Sequence, residues 1–305
     1  SGTGETSYQA YDAAVLEHAE QELEKLILQR NSGEKPFFAV VSLFNPHPPF
    51  IASKKDIAPF IGRVPPPRLT RPEREHPQLA AWRAAGKVDD VSDTAITKSR
   101  EAYYALVSMI DDIAGRVFDM VADRKNTVSI YTSDHGEALG ERGLWWKSTM
   151  YDESAKVPLV IRAPDLPVNE TDTRVTSLMD LSRTLLGWAG AELPGHAGRD
   201  LRLGSDWPNQ CLSSYYGGLM NIDLPPMRHR MIRSDSYKLI WFAGDEPLLF
   251  DMEKDPDELN NLADQTEYAS VVACLSEALH AGWDQSAINQ EIATKSARRQ
   301  VIRKW

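Results

Sequence analysis

The sequence predicts an α/β protein: a mostly parallel sheet sandwiched by helices over residues 1–204, then a small antiparallel sheet with helices over residues 205–305. Three observations point to it. Apolar runs of strand length alternate with segments whose apolar residues recur every three or four positions, as in a helix-covered sheet. The run Phe37 to Phe44 (FFAVVSLF) is apolar almost without a break, as strands buried on both faces are. Past residue 205, strands follow one another closely with turn residues between them, which is the grammar of a meander.

Taken in order, residues 11–30 carry Val15, Leu16, Ala19, Leu23, Leu26 and Ile27 on one helical stripe, and Pro36 closes that segment. The strand 37–44 follows and stops at Asn45-Pro46-His47-Pro48-Pro49, which cannot extend a ladder. Residues 51–97 are rich in Pro and Arg without a sustained period, an irregular excursion of the kind that serves function. A helical stripe then runs from Tyr103 through Leu106, Val107, Ile110, Ile113 and Val117 to Met120. Strands are expected at 127–132 and 157–161, and a helix at 176–188, ending at Gly190. In the second part, three short strands lie within residues 229–258, joined by Ser-Asp-Ser and Ala-Gly-Asp-Glu turns. A helix presenting Val271, Val272, Leu275, Leu279 and Trp283 precedes a last one, 284–305, with a basic end.

Composition narrows the function. With 42% hydrophobic and 26% charged residues the chain is ordinary globular protein, and its net charge of −10 gives no basic surplus for nucleic acid. The apolar runs are too short to span a membrane. Cys211 and Cys274 stand in no metal-ligand or redox spacing and read as small buried hydrophobes. No leader-like segment opens the residues given, which points to the cytoplasm rather than the periplasm or secretion.

The chemistry is concentrated after the strand 127–132. Asp134 and His135 leave it together where Gly136 lets the chain turn, an oxygen and a nitrogen donor suited to half of a divalent cation site; capping of a following helix is the alternative. Lys147, set among Trp145, Trp146 and Tyr151, suits contact with an oxyanion, or else lies along the tryptophans at the surface. His47, held between prolines past a neighbouring strand, suits proton transfer near neutral pH. Trp145 and Trp146, with Tyr103 and Tyr104, offer rings to a cationic substrate group, and Arg63, Arg68, Arg71 and Arg74 offer charge to an acidic sugar; periodicity favours a core role for the tyrosines, and solvent for the arginines. These are parts for cleaving an oxyanion ester, yet neither cysteine lies in a setting that would activate it as a nucleophile.

Residues 102–165, with "SIYTSDHGEALGERGLWWKSTMYDESAKVPLVIRAPD", closely resemble the C-terminal part of the catalytic domain of type I sulfatases, in the alkaline phosphatase superfamily. "KPFFAVVSLFNPHPPF" resembles that family's strand and histidine loop, and "LFDMEKDPDELNNLA" its small C-terminal subdomain. The ending "WDQSAINQEIATKSARRQVIRKW" is most similar to choline sulfatases and phosphonate monoester hydrolases.

The resemblance implies an alkaline-phosphatase-like fold without its N-terminal part, and hydrolysis of a sulfate ester. Asp134 and His135 would hold one divalent ion, Ca²⁺ in preference to Mn²⁺ or Mg²⁺; Lys147 would touch the sulfate and His47 the leaving-group oxygen. The family's nucleophile is a formylglycine made in a Cys/Ser-x-Pro/Ala-x-Arg motif, which this sequence lacks. A segment outside these residues is therefore expected to supply it, either because the chain is a piece of a sulfatase or because it is a subunit needing a partner; these residues alone are expected to be inactive. A small sulfated substrate, choline sulfate or a sulfated sugar, and self-association through the C-terminal region complete the expectation. Phosphonate monoester or phosphodiester hydrolysis, and a non-catalytic role, are the alternatives.

Overall fold

A computed structural model describes residues 1–33, 35–204, 207–217 and 227–302. The chain divides into two compact units, one of residues 1–208 with 215–228 and the other of residues 209–214 with 229–305.

In the first unit, β1 (Gly2–Thr3) leads into α1 (Ser7–Asn31), whose start is fixed by a capping box in which the Thr6 amide donates to the Gln9 side chain at 2.5 Å. Leu16 and Leu23 of the expected stripe are buried. Residues 37–44 depart from expectation. They run without a strand partner among the described residues, and Phe38 and Val40 are 71% and 72% exposed. Continuous apolarity identified a segment meant for burial, but burial on two faces needs neighbouring strands that the described residues do not supply.

The excursion is more ordered than its composition implied. It contains β2 (Ile51–Ala52), parallel to β1, then α2 (Lys54–Ile57) and α3 (Pro77–Gly86). Pro77 sits where its missing N–H costs nothing, His76 caps the Gln78 amide, and Lys87 ends α3 in a left-handed conformation. α4 (Asp93–Asp119) begins well before the apolar stripe because Ser92 caps the Ala95 amide. Ala102, Leu106 and Ile110 face its core side, where α4 packs on β2 and α2.

β3 (Ser129–Thr132), α5 (Asp152–Ala155), β4 (Leu159–Arg162) and α6 (Leu178–Trp188) follow. The α/β class stands, but β3 and β4, expected in a mostly parallel sheet, pair antiparallel, with Ile130 opposite Ile161. The connection between them, residues 133–158, folds into a compact loop and the one-turn α5 rather than into the long helix that usually joins parallel neighbours.

A four-stranded sheet runs in the order β5 (Gln210–Gly217), β6 (Met227–Ser234), β7 (Tyr237–Phe242) and β8 (Asp245–Asp251), and most of its residues belong to the second unit. β6 to β8 form the expected antiparallel meander, and β5 is an added strand. Ile232, Leu239 and Leu249 pack with Leu275 and Leu279 of α7 (Ala269–His280). α8 (Gln285–Ile302) follows, and the basic end at 303–305 lies outside the described residues. Cys274 is exposed rather than buried, because it points away from the face that carries Leu275 and Leu279. No described helix is long and apolar enough to cross a membrane.

Candidate active site

Asp134 and His135 leave the end of β3, a strand held by its pairing with β4 and by the Thr132 hydroxyl donating to the Pro158 carbonyl at 2.9 Å. The His135 amide donates to Asp134 Oδ1 at 3.0 Å, and His135 Nδ1–H donates to the Gly136 carbonyl at 2.8 Å. A carbonyl only accepts, so this bond puts the proton on Nδ1 and leaves a lone pair on Nε2. That nitrogen lies 3.6 Å from Asp134 Oδ2, and the carboxylate is 84% exposed.

Two donors at this spacing fit one edge of a cation's shell, in which oxygen ligands lie about 2.3–2.6 Å from a Ca²⁺ ion. Among the described residues no group of three or more His, Cys, Asp or Glu side chains comes together to hold a metal, so the pair is a half-site.

Gly136 plays a different part from the expected one. Its φ is not in the left-handed region; instead a Cβ there would lie 2.1 Å from the Glu153 carbonyl oxygen, and its amide donates to the Ser154 carbonyl at 2.8 Å. Glycine is required by close backbone approach, not by a turn. The left-handed positions come later, at Leu139, Gly140, Arg142, Gly143, Trp146 and Ser148.

That succession folds residues 137–148 into a compact loop closed by Glu137, whose Oε1 accepts the amides of Leu139 at 3.0 Å and Trp146 at 2.6 Å. Glu141 fastens the loop to the excursion by accepting the amides of Arg68 and Leu69, each at 2.8 Å, and Arg100 pairs with it at 3.2 Å. Arg142 is buried over the Tyr151 ring and 3.4 Å from Glu153. Trp145 is 6% exposed, while the half-buried Trp146 packs edge-on against Trp82. Tyr103 packs on Phe50, the core role that periodicity favoured for both tyrosines, whereas Tyr104 is 37% exposed and only meets Phe60 edge-on; Arg71 pairs with Glu75 at 3.0 Å.

Lys147 is thereby aimed at the histidine loop, and its Nζ lies 2.7 Å from His47 Nε2 across 100 residues of sequence. His47 Nδ1–H donates to the Pro48 carbonyl at 2.8 Å, so Nε2 is the acceptor of the lysine's proton. Burial, then the Lys147 charge, lowers the His47 pKa below its usual value. Burial also lowers that of Lys147, against the raising influence of Glu137 and Asp134. The His47 and His135 rings stand 6.4 Å apart. His47, Lys147, Asp134 and His135 therefore form one cluster.

Reading the sequence missed Asp12, Tyr8 and Glu137. Asp12 is buried, with Oδ1 accepting the Phe44 amide at 2.8 Å and Oδ2 the Asn45 amide at 3.0 Å. Its signal was available: it lies four residues before Leu16, a carboxylate on the apolar stripe. Tyr8 stacks on Phe44 and turns an edge to His47, and nothing in its spacing announced that. Burial pushes the Glu137 carboxyl up to about 6.

The profile of the family described as "Sulfatase" matches residues 2–191, and that described as "N-sulphoglucosamine sulphohydrolase, C-terminal" matches residues 140–285. Choline-sulfatase of Rhizobium meliloti (strain 1021) is 28% identical over 97% of this chain and 60% of its own length. The multifunctional alkaline phosphatase superfamily protein PehA of Trinickia caryophylli is 30% identical over 78% of the chain and 54% of its own. The crystal structure of phosphonate monoester hydrolase of Agrobacterium radiobacter superposes with a TM-score of 0.70 at 27% identity, covering 86% of this chain and 59% of that one. The chain thus spans less than two thirds of the length of these relatives.

Proposed function

The chain belongs to the sulfatase family, and from that premise we propose that it supplies the metal half-site and the proton-transfer and oxyanion-binding groups of a sulfuric ester hydrolase. The observation that carries the reading is the 2.7 Å approach of Lys147 to His47 beside the Asp134–His135 pair.

Asp134 and His135 would hold a divalent cation, Ca²⁺ in preference to Mn²⁺ or Mg²⁺. Such an ion, when bound, neutralises charge on the ester's oxygens. Lys147 presents an ammonium, half-desolvated and oriented by the loop that Glu137 closes, to the same oxygens. His47 accepts a hydrogen bond from that ammonium. Negative charge arriving beside the pair raises the proton affinity of both, so Lys147 keeps its proton while the imidazole takes one up from solvent and gives it to the departing alcohol oxygen.

The nucleophile, a formylglycine in this family, is proposed to come from a segment outside residues 1–305. The exposed apolar side chains of Phe38, Val40 and, on β4, Val160 support the idea that more sheet is added to this unit. Trp146, and with it Trp145, is the proposed boundary of the substrate pocket, for a small sulfated molecule such as choline sulfate or a sulfated sugar. Association of copies through the C-terminal region belongs to the same proposal.

Similarity to a phosphonate monoester hydrolase supports a second reading, hydrolysis of phosphonate monoesters or phosphodiesters by the same groups. Turnover of matched sulfate, phosphonate and phosphodiester substrates by the full-length protein tests both. Preference for sulfate by tenfold or more in kcat/KM is expected, and the reverse order would establish the second reading. Residues 1–305 alone should hydrolyse none of them.

A further inference from the structure

We infer that Asp12 is the positioning residue for His47, and that α1 is the element that sets where this imidazole stands. The inference rests on the reading of His47 as the group that protonates the leaving oxygen.

Asp12 is 1% exposed. A carboxylate so placed is costly unless its oxygens are filled by hydrogen bonds, and an apolar residue on the α1 stripe would avoid that cost. Here the oxygens are filled entirely from one loop. Oδ1 accepts the Phe44 amide at 2.8 Å; Oδ2 accepts the Asn45 amide at 3.0 Å and Asn45 Nδ2 at 2.5 Å. The Phe44 carbonyl in turn accepts the His47 amide at 2.9 Å. Two hydrogen bonds through one peptide residue thus connect the buried carboxylate to the backbone of the histidine.

α1 grips the other parts of the same loop. One turn before Asp12, the Tyr8 ring stacks on Phe44 with centroids 4.8 Å apart and meets the His47 ring edge-on at 5.9 Å. Gln9 Nε2 donates to the Ile51 carbonyl at 2.7 Å, beyond the histidine. The segment from Phe44 to Ile51 is therefore held at both ends by one helix, with His47 between the supports. From Phe44 to Pro49 the backbone has no strand partner among the described residues, so these contacts replace the rigidity a sheet would give.

The test uses Asp12→Asn in the full-length protein, with two sulfate monoesters: nitrophenyl sulfate, whose leaving oxygen needs no proton, and an alkyl sulfate, whose leaving oxygen does. Displacing the proton donor should lower kcat for the alkyl ester on the order of 10²-fold, lower it less than about threefold for the aryl ester, and leave KM for both within about twofold. Asp180→Asn is the control for a merely structural effect. Asp180 is equally buried and accepts the Ser177 and Arg199 amides, far along the chain, so its loss should leave the ratio of the two rates unchanged. Equal falls on both esters in Asp12→Asn, or no fall, overturn the inference.

If Asp12→Asn does not fold, Asn45→Ala removes a single one of the three bonds and should give a smaller fall confined to the alkyl ester; equal falls again overturn it. Should the unaltered protein hydrolyse neither ester, the sulfatase reading itself fails, and crystals of the variant decide the positioning separately. His47 Nε2 should then move from 2.7 Å to beyond hydrogen-bond reach of Lys147 Nζ; an unchanged separation refutes the role of Asp12.

Discussion

Replacing Gly136 by alanine is the most direct probe of how the site is built. The added Cβ would lie 2.1 Å from the Glu153 oxygen, 3.0 Å from its carbonyl carbon and 3.3 Å from the Lys156 oxygen, all backbone atoms with no rotamer to yield. Ordinary contact begins near 3.4 Å, so β3's exit and the α5 turn must part by more than an ångström, stretching the 2.8 Å bond from the Gly136 amide to the Ser154 carbonyl. Overpacking of this kind costs about 1–3 kcal/mol, and a rigid backbone neighbour places Gly136→Ala at the upper end. At roughly 2–4 °C per kcal/mol, the melting temperature should fall by about 6–12 °C in scanning calorimetry. Because the residue next in line is His135, the same shift displaces the candidate metal pair and should lower turnover by the full-length protein on the order of 10²-fold. A melting temperature within a degree of the parent, with turnover within twofold, would refute the close approach as the reason for glycine here.

Lys147→Ala in the full-length protein should lower kcat on the order of 10²-fold or more on sulfate esters, and a loss below threefold would remove Lys147 from the site. Glu137 gives a pH dependence. Its folded pKa of about 6 lies above the unfolded 4.5, so the stability it contributes is fully present below pH 4.5 and is lost as pH rises through 6, about 2 kcal/mol in all. Glu137→Gln keeps an acceptor for the Leu139 and Trp146 amides and should be about 2 kcal/mol more stable than the parent at pH 7, and equal to it near pH 4; urea titrations in a chelator at both pH values check this, and equal curves at pH 7 count against it. In the second unit, Lys238 and Glu258 form an ion pair at 2.7 Å with both side chains 1% exposed. Lys238→Met should destabilise by about 3–5 kcal/mol, and Lys238→Met with Glu258→Leu should recover most of that; a neutral single variant would contradict it.

Local rules made some of this legible and global ones hid the rest. The helices near residues 7–31, 93–119 and 178–188 are announced by periodicity, a signal that acts within a few residues, while the caps Thr6, Ser92 and Ser177 set where they start. The direction of β4 is not, since an apolar pentad says nothing of which neighbour it meets. Residues 37–44 mislead in another way. Their composition records the burial they are suited to, whereas ladder formation depends on other strands. His47, Lys147, Asp134 and His135 were legible as chemistry because their types are rare in such positions, but their convergence depends on carboxylates that hold backbone: Asp12 for the histidine loop, Glu137 and Glu141 for the lysine loop. Such residues look like ordinary surface charge in a sequence. Asp12 alone betrays itself, by standing on an apolar stripe.

These carboxylates also explain how the site can keep a positive charge for its ligand. A lysine in an acidic protein, net −10, would ordinarily find a carboxylate within reach and spend its charge there. The carboxylates that act on Lys147 are Glu137 and Asp134, and both are already committed. Glu137 accepts two amides of the lysine's own loop, and Asp134 Oδ1 accepts the His135 amide at 3.0 Å in the candidate metal pair. Lys147 gives its hydrogen bond instead to a neutral imidazole, which orients the ammonium without cancelling it. Burial makes that charge expensive, which is the sense of its lowered pKa. An arriving oxyanion then relieves a cost already incurred in folding, rather than competing with an existing ion pair. Preorganisation of this kind is what distinguishes a binding lysine from a stabilising one, and here it follows from where the neighbouring carboxylates are anchored.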